Sequence, residues 1–175
     1  MIEVSSPPMA KTKEGSTCGN IKIRQATQNE APLLYALISN NLAEGHLLPR
    51  SLEEITFHSH RFLVAVKDNE IRACAELAEL GSCVTEIRSY VVSEAHRHQG
   101  IGKHLLQELL TTAKEDGHQM LCAFTHNPRP FIRFGFSIVP HPWVPEKISK
   151  DCRNCSLFRN CQQYAVVLNF QSMEN

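Results

Sequence analysis

Arg97-His98-Gln99-Gly100-Ile101-Gly102-Lys103 lies between an apolar, strand-like run ending at Val92 and a segment with Ile101, Leu105, Leu106, Leu109, Leu110 and Ala113 at helical spacing. The first turn of a helix leaves backbone N–H groups without intrahelical acceptors, and the helix dipole is positive there. Such a turn stabilises an anion such as pyrophosphate, and two glycines let the anion come close to the backbone. Arg97, His98 and Lys103 add positive charge around the amides. Two spaced glycines alone fit an ordinary loop better. The strand before, the helix after and the leading arginine shift the reading to a bound ligand.

Working outward, Gly117 suits the C-terminal cap of that helix. Upstream, 62–66 reads as an apolar strand, Lys67-Asp68-Asn69-Glu70 as a hairpin turn, 71–80 as the return strand and 83–92 as a third strand after Gly81-Ser82. Ile21-Lys22-Ile23-Arg24-Gln25-Ala26 alternates like a half-buried strand. Thr27-Gln28-Asn29-Glu30 and Ser51-Leu52-Glu53-Glu54 have capping-box spacing and open two helices. The loop Glu44-Gly45-His46-Leu47-Leu48-Pro49-Arg50 between them carries an isolated cation. Downstream, 120–125 is a strand, Pro128 and Pro130 open a helical turn that ends at Gly135, and 164–170 is the last strand. This order predicts an α/β (α+β) domain with a mixed, mostly antiparallel sheet flanked by helices, spanning 20–171, behind a flexible tail at 1–19.

The order of elements and Arg97-x-x-Gly100-x-Gly102 together resemble the acetyl-CoA signature of the GNAT N-acetyltransferases. Phe131-Ile132-Arg133-Phe134-Gly135-Phe136 resembles that family's aromatic-x-x-x-Gly-Phe segment. The resemblance covers about residues 20–170 and implies the acyl-CoA N-acyltransferase fold with acetyl-CoA as co-substrate. It implies that the backbone of His98, Gln99, Gly100, Ile101, Gly102 and Lys103 holds the pyrophosphate and that Val91 and Val92 pair with the pantetheine arm. Arg97 and Phe131 complete the implied CoA contacts.

Acetyl transfer to an amine needs a base for the ammonium proton, a donor for the oxyanion and an acid for the thiolate. A period of two puts Glu86, Arg88 and Tyr90 on one face of their strand, which makes Glu86 the leading base, with Glu76 and Glu79 as alternatives. Many family members carry a tyrosine where Phe131 stands, so the acid passes to Tyr90, His126 or a water, and Asn127 can donate to the oxyanion.

Gly45-His46-Leu47-Leu48-Pro49-Arg50-Ser51-Leu52-Glu53, Thr85-Glu86-Ile87-Arg88-Ser89-Tyr90 and Trp143-Val144-Pro145-Glu146-Lys147 resemble segments of the short, stand-alone N-acetylglutamate synthases. That resemblance implies L-glutamate as acceptor, on the way to arginine, with no kinase-like segment and no feedback control through one. Arg50 suits the substrate carboxylates through bidentate hydrogen bonds, with Arg88 and Lys147 as further anchors. Another small amine or a protein N-terminus remains an alternative acceptor, and a non-catalytic acyl-CoA-binding module an alternative role.

Lys+Arg and Asp+Glu number 18 each, which argues against a general nucleic-acid binder or a basic membrane-surface protein. No apolar run approaches the roughly 20 residues of a bilayer span, and no signal-peptide core is evident, so a cytoplasmic domain is expected, with a homodimer as one allowed assembly. Of seven cysteines, Cys74, Cys83 and Cys122 read as core residues and Cys18 lies in the tail. Cys152, Cys155 and Cys161, in a Cys-rich loop at 151–161, have a spacing that a structural zinc could use, with His141 or Asp151 as a fourth ligand. Reduced thiols or a redox-sensitive Cys152–Cys155 pair are the alternatives.

Overall fold

The computed structural model describes residues 17–18, 20–42 and 47–170. Along the chain run β1 (Thr17–Cys18), β2 (Ile21–Gln25), α1 (Ala31–Asn40), α2 (Leu52–Phe57), β3 (Phe62–Lys67), β4 (Glu70–Glu79) and β5 (Val84–Val92). They are followed by α3 (Ile101–Glu115), β6 (Met120–Thr125), α4 (Arg129–Ile132), β7 (Ser137–Val139), α5 (Pro145–Lys150) and β8 (Tyr164–Asn169). The strands form one sheet in the order β1-β2-β3-β4-β5-β6-β8-β7. Every neighbouring pair is antiparallel except β5 and β6.

Local chemistry accounts for the turns. Asp68 and Asn69 both have positive φ (53° and 60°), the left-handed pair that a two-residue hairpin needs, and Asp and Asn tolerate it best after glycine. The Thr27 backbone N–H donates to the Glu30 carboxylate at 2.8 Å, and Arg24 grips the same carboxylate at 2.6 and 2.9 Å. Ser51 caps α2 by accepting from the Glu54 N–H at 3.1 Å. Gly117, at φ 78°, lies just past the end of α3.

The sheet has a core on each face. Leu105, Leu106, Leu109 and Ala113 of α3 pack on Ala73, Ala75, Leu77 and Ile87. Leu34 and Ile38 of α1 and Ile55 of α2 cover Val64, Cys74 and Val91 on the opposite face. A third cluster joins Leu80, Val84, Cys122, Val139, Val144 and Ala165.

Several expectations need correction. The strict period of two in β5 fails. Glu76 opposes Arg88 and Cys74 opposes Val91, so β5 carries an extra residue there, and Ser89 sits at φ 51°. A bulge re-aims the side chains beyond it. Glu86 and Arg88 therefore lie on the α1/α2 face with Glu76, whereas Tyr90 packs with the α3 cluster. Cys83 is exposed, next to the Gly81-Ser82 turn, rather than in the core; Cys74 and Cys122 are buried as expected. Thr17 and Cys18, expected in a tail, pair with β2. Residues 1–16, and Glu44, Gly45 and His46 of the loop before α2, lie outside the described residues.

Candidate active site

β5 and β6 pair only through Val84↔Met120, Thr85↔Leu121 and Glu86↔Cys122. Beyond Glu86 they part, and a cavity of about 850 Å³ opens between Ile87–Val92 of one strand and Ala123–Thr125 of the other. Among the described residues, the edge of β5 that faces this wedge has no strand partner, so its peptide groups can pair with an extended, amide-bearing ligand. The bulge of β5 lies in the stretch beyond Glu86 where the two strands have parted.

The glycine turn closes one end of the wedge. His98 and Gly100 adopt left-handed conformations, φ 63° and 82°, immediately before α3. A Cβ on Gly102 would stand 2.7 Å from the Tyr90 hydroxyl and 3.3 Å from Val92 Cγ2, so only glycine fits that close approach. The Ile101 side chain is buried in the core, which leaves its N–H as the group it can offer a ligand. Arg97 has a fixed post: Nε donates to the Val92 carbonyl at 3.2 Å and Nη2 to Asn41 Oδ1 at 2.5 Å, tying the turn to β5 and to the end of α1. The Val92 carbonyl, expected to meet the pantetheine, already accepts that bond. Lys67 donates to Gln99 at 3.1 Å and adds a cation that sequence reading missed. His98, Val91, Val92 and Gly102 line the cavity, as does Phe131, whereas Gln99, Gly100 and Lys103 are exposed on the turn's outer side.

The floor of the wedge is a charged cluster. Glu86, 3% exposed, accepts from Lys147 Nζ at 2.7 Å on one oxygen and 2.9 Å on the other, and from Arg88 Nη2 at 2.6 Å. The same Lys147 and Arg88 nitrogens meet again at Asp151 Oδ2, at 2.7 and 2.8 Å. Lys147 is itself buried and lies 5.6 Å from the Phe124 ring centroid. Burial works against the Arg88 charge, yet the Glu86 and Asp151 carboxylates outweigh it and raise its pKa. Burial would likewise raise Asp151, but hydrogen bonds from Lys147 and Arg88 hold it below the usual carboxylate range. Glu86, expected to be the base, is engaged by Lys147 and Arg88 and holds both of them in place.

Arg50 is also differently employed than expected. Its Nη1 donates to Glu76 at 2.8 Å and to Ser89 Oγ at 3.0 Å, and Nη2 lies 2.9 Å from Glu54. Nε and Nη2 are both buried without a hydrogen-bond partner, Nη2 meeting Glu54 only as an ion pair. Arg50 thus keeps Nε and Nη2 N–H groups for a ligand, while Nη1 is taken by Glu76 and Ser89. Burial would lower its pKa, but Glu54 and Glu76 reverse that and raise it.

Tyr90 stands across the sheet from Glu86, its ring centroid 5.8 Å from that of Phe131 and its hydroxyl against Gly102. Burial pushes the phenol pKa up, so it is neutral and able to donate. Asn127 lies on the cavity wall, where its Oδ1 accepts from the Arg129 N–H at 3.3 Å, leaving the amide NH2 as its remaining donor. The zinc expectation fails: among the described residues no three His, Cys, Asp or Glu side chains are gathered as a metal site. Cys152 and Cys155 are half-buried and Cys161 is exposed, all three as free thiols, and burial raises the Cys152 pKa. Asp151 is the main residue that sequence reading misplaced. Its helical spacing from Lys147, four residues on, was the available signal.

Residues 31–136 match the model of the acetyltransferase (GNAT) family. The chain belongs to that family. This N-acetyltransferase is 30% identical over 145 residues to an uncharacterized N-acetyltransferase of Chlorobaculum tepidum, covering 83% of the chain and 94% of that protein. It is also 30% identical over 136 residues to an amino-acid acetyltransferase of Neisseria meningitidis, where the match covers 77% of the chain but only 31% of the relative. N-acetylglutamate synthase from Neisseria gonorrhoeae, solved with coenzyme A and N-acetyl-glutamate, superposes with a TM-score of 0.77 at 27% identity, over 88% of the chain and 36% of that protein. A Mycobacterium tuberculosis protein solved with CoA and NLQ has the same fold, with a TM-score of 0.73 at 22% identity over 84% of the chain and 98% of that protein. No helix of the described residues is long and apolar enough to cross a membrane.

Proposed function

We propose that this enzyme transfers an acetyl group from acetyl-CoA to the α-amine of a dicarboxylic amino acid, L-glutamate, as a cytoplasmic step towards arginine. The observation that carries this reading is the pair of cations, Lys147 buried and Arg88 half-buried, that lines the wedge between β5 and β6. A carboxylate acceptor needs cationic anchors held in low dielectric, where they are worth more than in water. A polyamine has no carboxylate with which to engage them. The names of the amino-acid acetyltransferase relatives and of the N-acetylglutamate synthase neighbour support the same class of acceptor.

The residues fit the acyl donor. The unpaired edge of β5 takes an extended amide chain, and the N–H groups of Ile101, Gly102 and Lys103 at the start of α3 take its phosphates. The donor supplies the thioester. Lys147 and Arg88 hold a substrate carboxylate, ordered by Glu86, and Arg50 Nε supplies a further donor from the opposite wall. The Asn127 amide donates to the oxyanion. The Tyr90 phenol, standing where Phe131 offers no hydroxyl, protonates the departing thiolate. The ammonium proton leaves to water in the open wedge.

The test is CoA release from purified protein and acetyl-CoA, screened across the free amino acids and polyamines. Turnover with glutamate supports the reading; turnover confined to polyamines, or acetyl-CoA binding with no acceptor at all, overturns it. Glu86→Gln separates its two roles. As an ordering residue it raises the glutamate KM and leaves the shape of the pH profile intact, whereas loss of a titrating limb in kcat would return the base to Glu86.

A further inference from the structure

We infer that Asp151 is a built-in substitute for the substrate's carboxylate: it occupies the point where Lys147 and Arg88 converge, and the acceptor must displace it to bind. The inference rests on the carboxylate-acceptor reading above and adds a specificity-determining residue to it.

Two carboxylates share the two cations, and they differ in freedom. Glu86 sits in mid-strand with a side chain 4% exposed, both oxygens bonded. It is part of the wall. Asp151 follows the six-residue helix α5, keeps 31% of its side chain exposed and engages both cations through one oxygen, Oδ2. It lines the wedge, and a 3-10 turn at Cys152–Asn154 follows it. A rotation of its side chain towards solvent uncovers the Lys147 and Arg88 nitrogens without moving β5.

Charge balance favours exchange over addition. Lys147 and Arg88 are neutralised by Glu86 and Asp151. A third carboxylate in the same partly buried cluster would add an uncompensated negative charge, which low dielectric penalises. Replacing Asp151 by a ligand carboxylate keeps the count, and the Asp151 charge passes to the solvent-facing rim. The cations are thus kept paired when no acceptor is present, and an acceptor without a carboxylate has nothing with which to displace Asp151. The affinity of the acceptor is reduced by the fraction of molecules in which Asp151 is in place.

Asp151→Asn removes the competing charge. The expected result is a glutamate KM about three- to tenfold lower, with kcat changed less than twofold, and tighter binding of glutarate, a dicarboxylate without an amine, by calorimetry. Asp151→Glu keeps a carboxylate at this position and is expected to hold KM near that of the parent. A merely structural Asp151 would lower the melting temperature in Asp151→Asn and leave KM unchanged or raised in both variants; that outcome overturns the inference alone. If neither the parent nor Asp151→Asn binds glutarate or turns over glutamate, the carboxylate-acceptor reading falls, and the inference falls with it.

Discussion

Replacing Lys147 by methionine tests the charged floor most directly. Methionine keeps most of the side chain's length and its apolar contact with Phe124, and removes only the ammonium. The ammonium makes bonds of 2.7 and 2.9 Å to Glu86 and one of 2.7 Å to Asp151. Breaking a buried ion pair by deleting one partner costs about 3–5 kcal/mol, because the remaining charge is left in low dielectric. Arg88 still bonds both carboxylates in the variant, which places the expected loss near the lower end, about 3 kcal/mol. For a domain of this size that lowers Tm by about 6–12 °C. Urea unfolding of the parent, Lys147→Met, Glu86→Gln and the double variant closes a cycle. The two single losses should exceed the double loss by about 1–3 kcal/mol, since removing both partners leaves no orphaned charge. A Lys147→Met loss below about 1 kcal/mol, or strict additivity, would show that the pair is neither buried nor coupled and would refute the floor as described.

Three further outcomes follow from other parts of the molecule. Gly102→Ala forces its Cβ against the Tyr90 hydroxyl and Val92, so CoA affinity by calorimetry should fall at least tenfold, with a stability loss of about 1–3 kcal/mol. Tyr90→Phe should lower kcat at least tenfold with the CoA dissociation constant unchanged, whereas an unaltered kcat excludes the phenol as acid. Hydrogen bonds from Arg24 hold the Glu30 carboxyl down at about 2, below its unfolded value of 4.5. Its stabilisation is therefore present above pH 4.5 and is lost as the pH falls towards 2. After discounting for partial exposure it is about 1–2 kcal/mol, and Glu30→Gln should lag the parent by that amount at pH 6 and converge on it only below about pH 2.

The frame of the fold was readable because its signals are local. The hairpin at Asp68 and Asn69, the caps at Thr27 and Ser51, the glycine turn and the apolar stripe of α3 all depend on residues within a few positions of one another. β7 and α5 were missed for the opposite reason. Ser137–Val139 has two exposed residues and becomes a strand only because β8 returns beside it, and α5 is held through a buried lysine that reads as a surface residue. In the active site, residue types were legible and partnerships were not. Arg50, Arg88 and Lys147 were recognised as anchors, but Glu54, Glu76 and Asp151, which engage them, come from α2, β4 and the end of α5. The bulge at Ser89 had no signal in an alternating strand, and it alone moves Tyr90 to the opposite face from Glu86.

The parting of β5 from β6 also divides the molecule mechanically. Strands β1–β5 make one slab and β6, β8 and β7 another, and only three residue pairs stitch the sheet across the seam. A ligand that pairs with the free edge of β5 lengthens that seam with hydrogen bonds the polypeptide does not supply. On the proposed mode of donor binding, the acyl donor is a temporary strand that stiffens the boundary between the two slabs while it is bound.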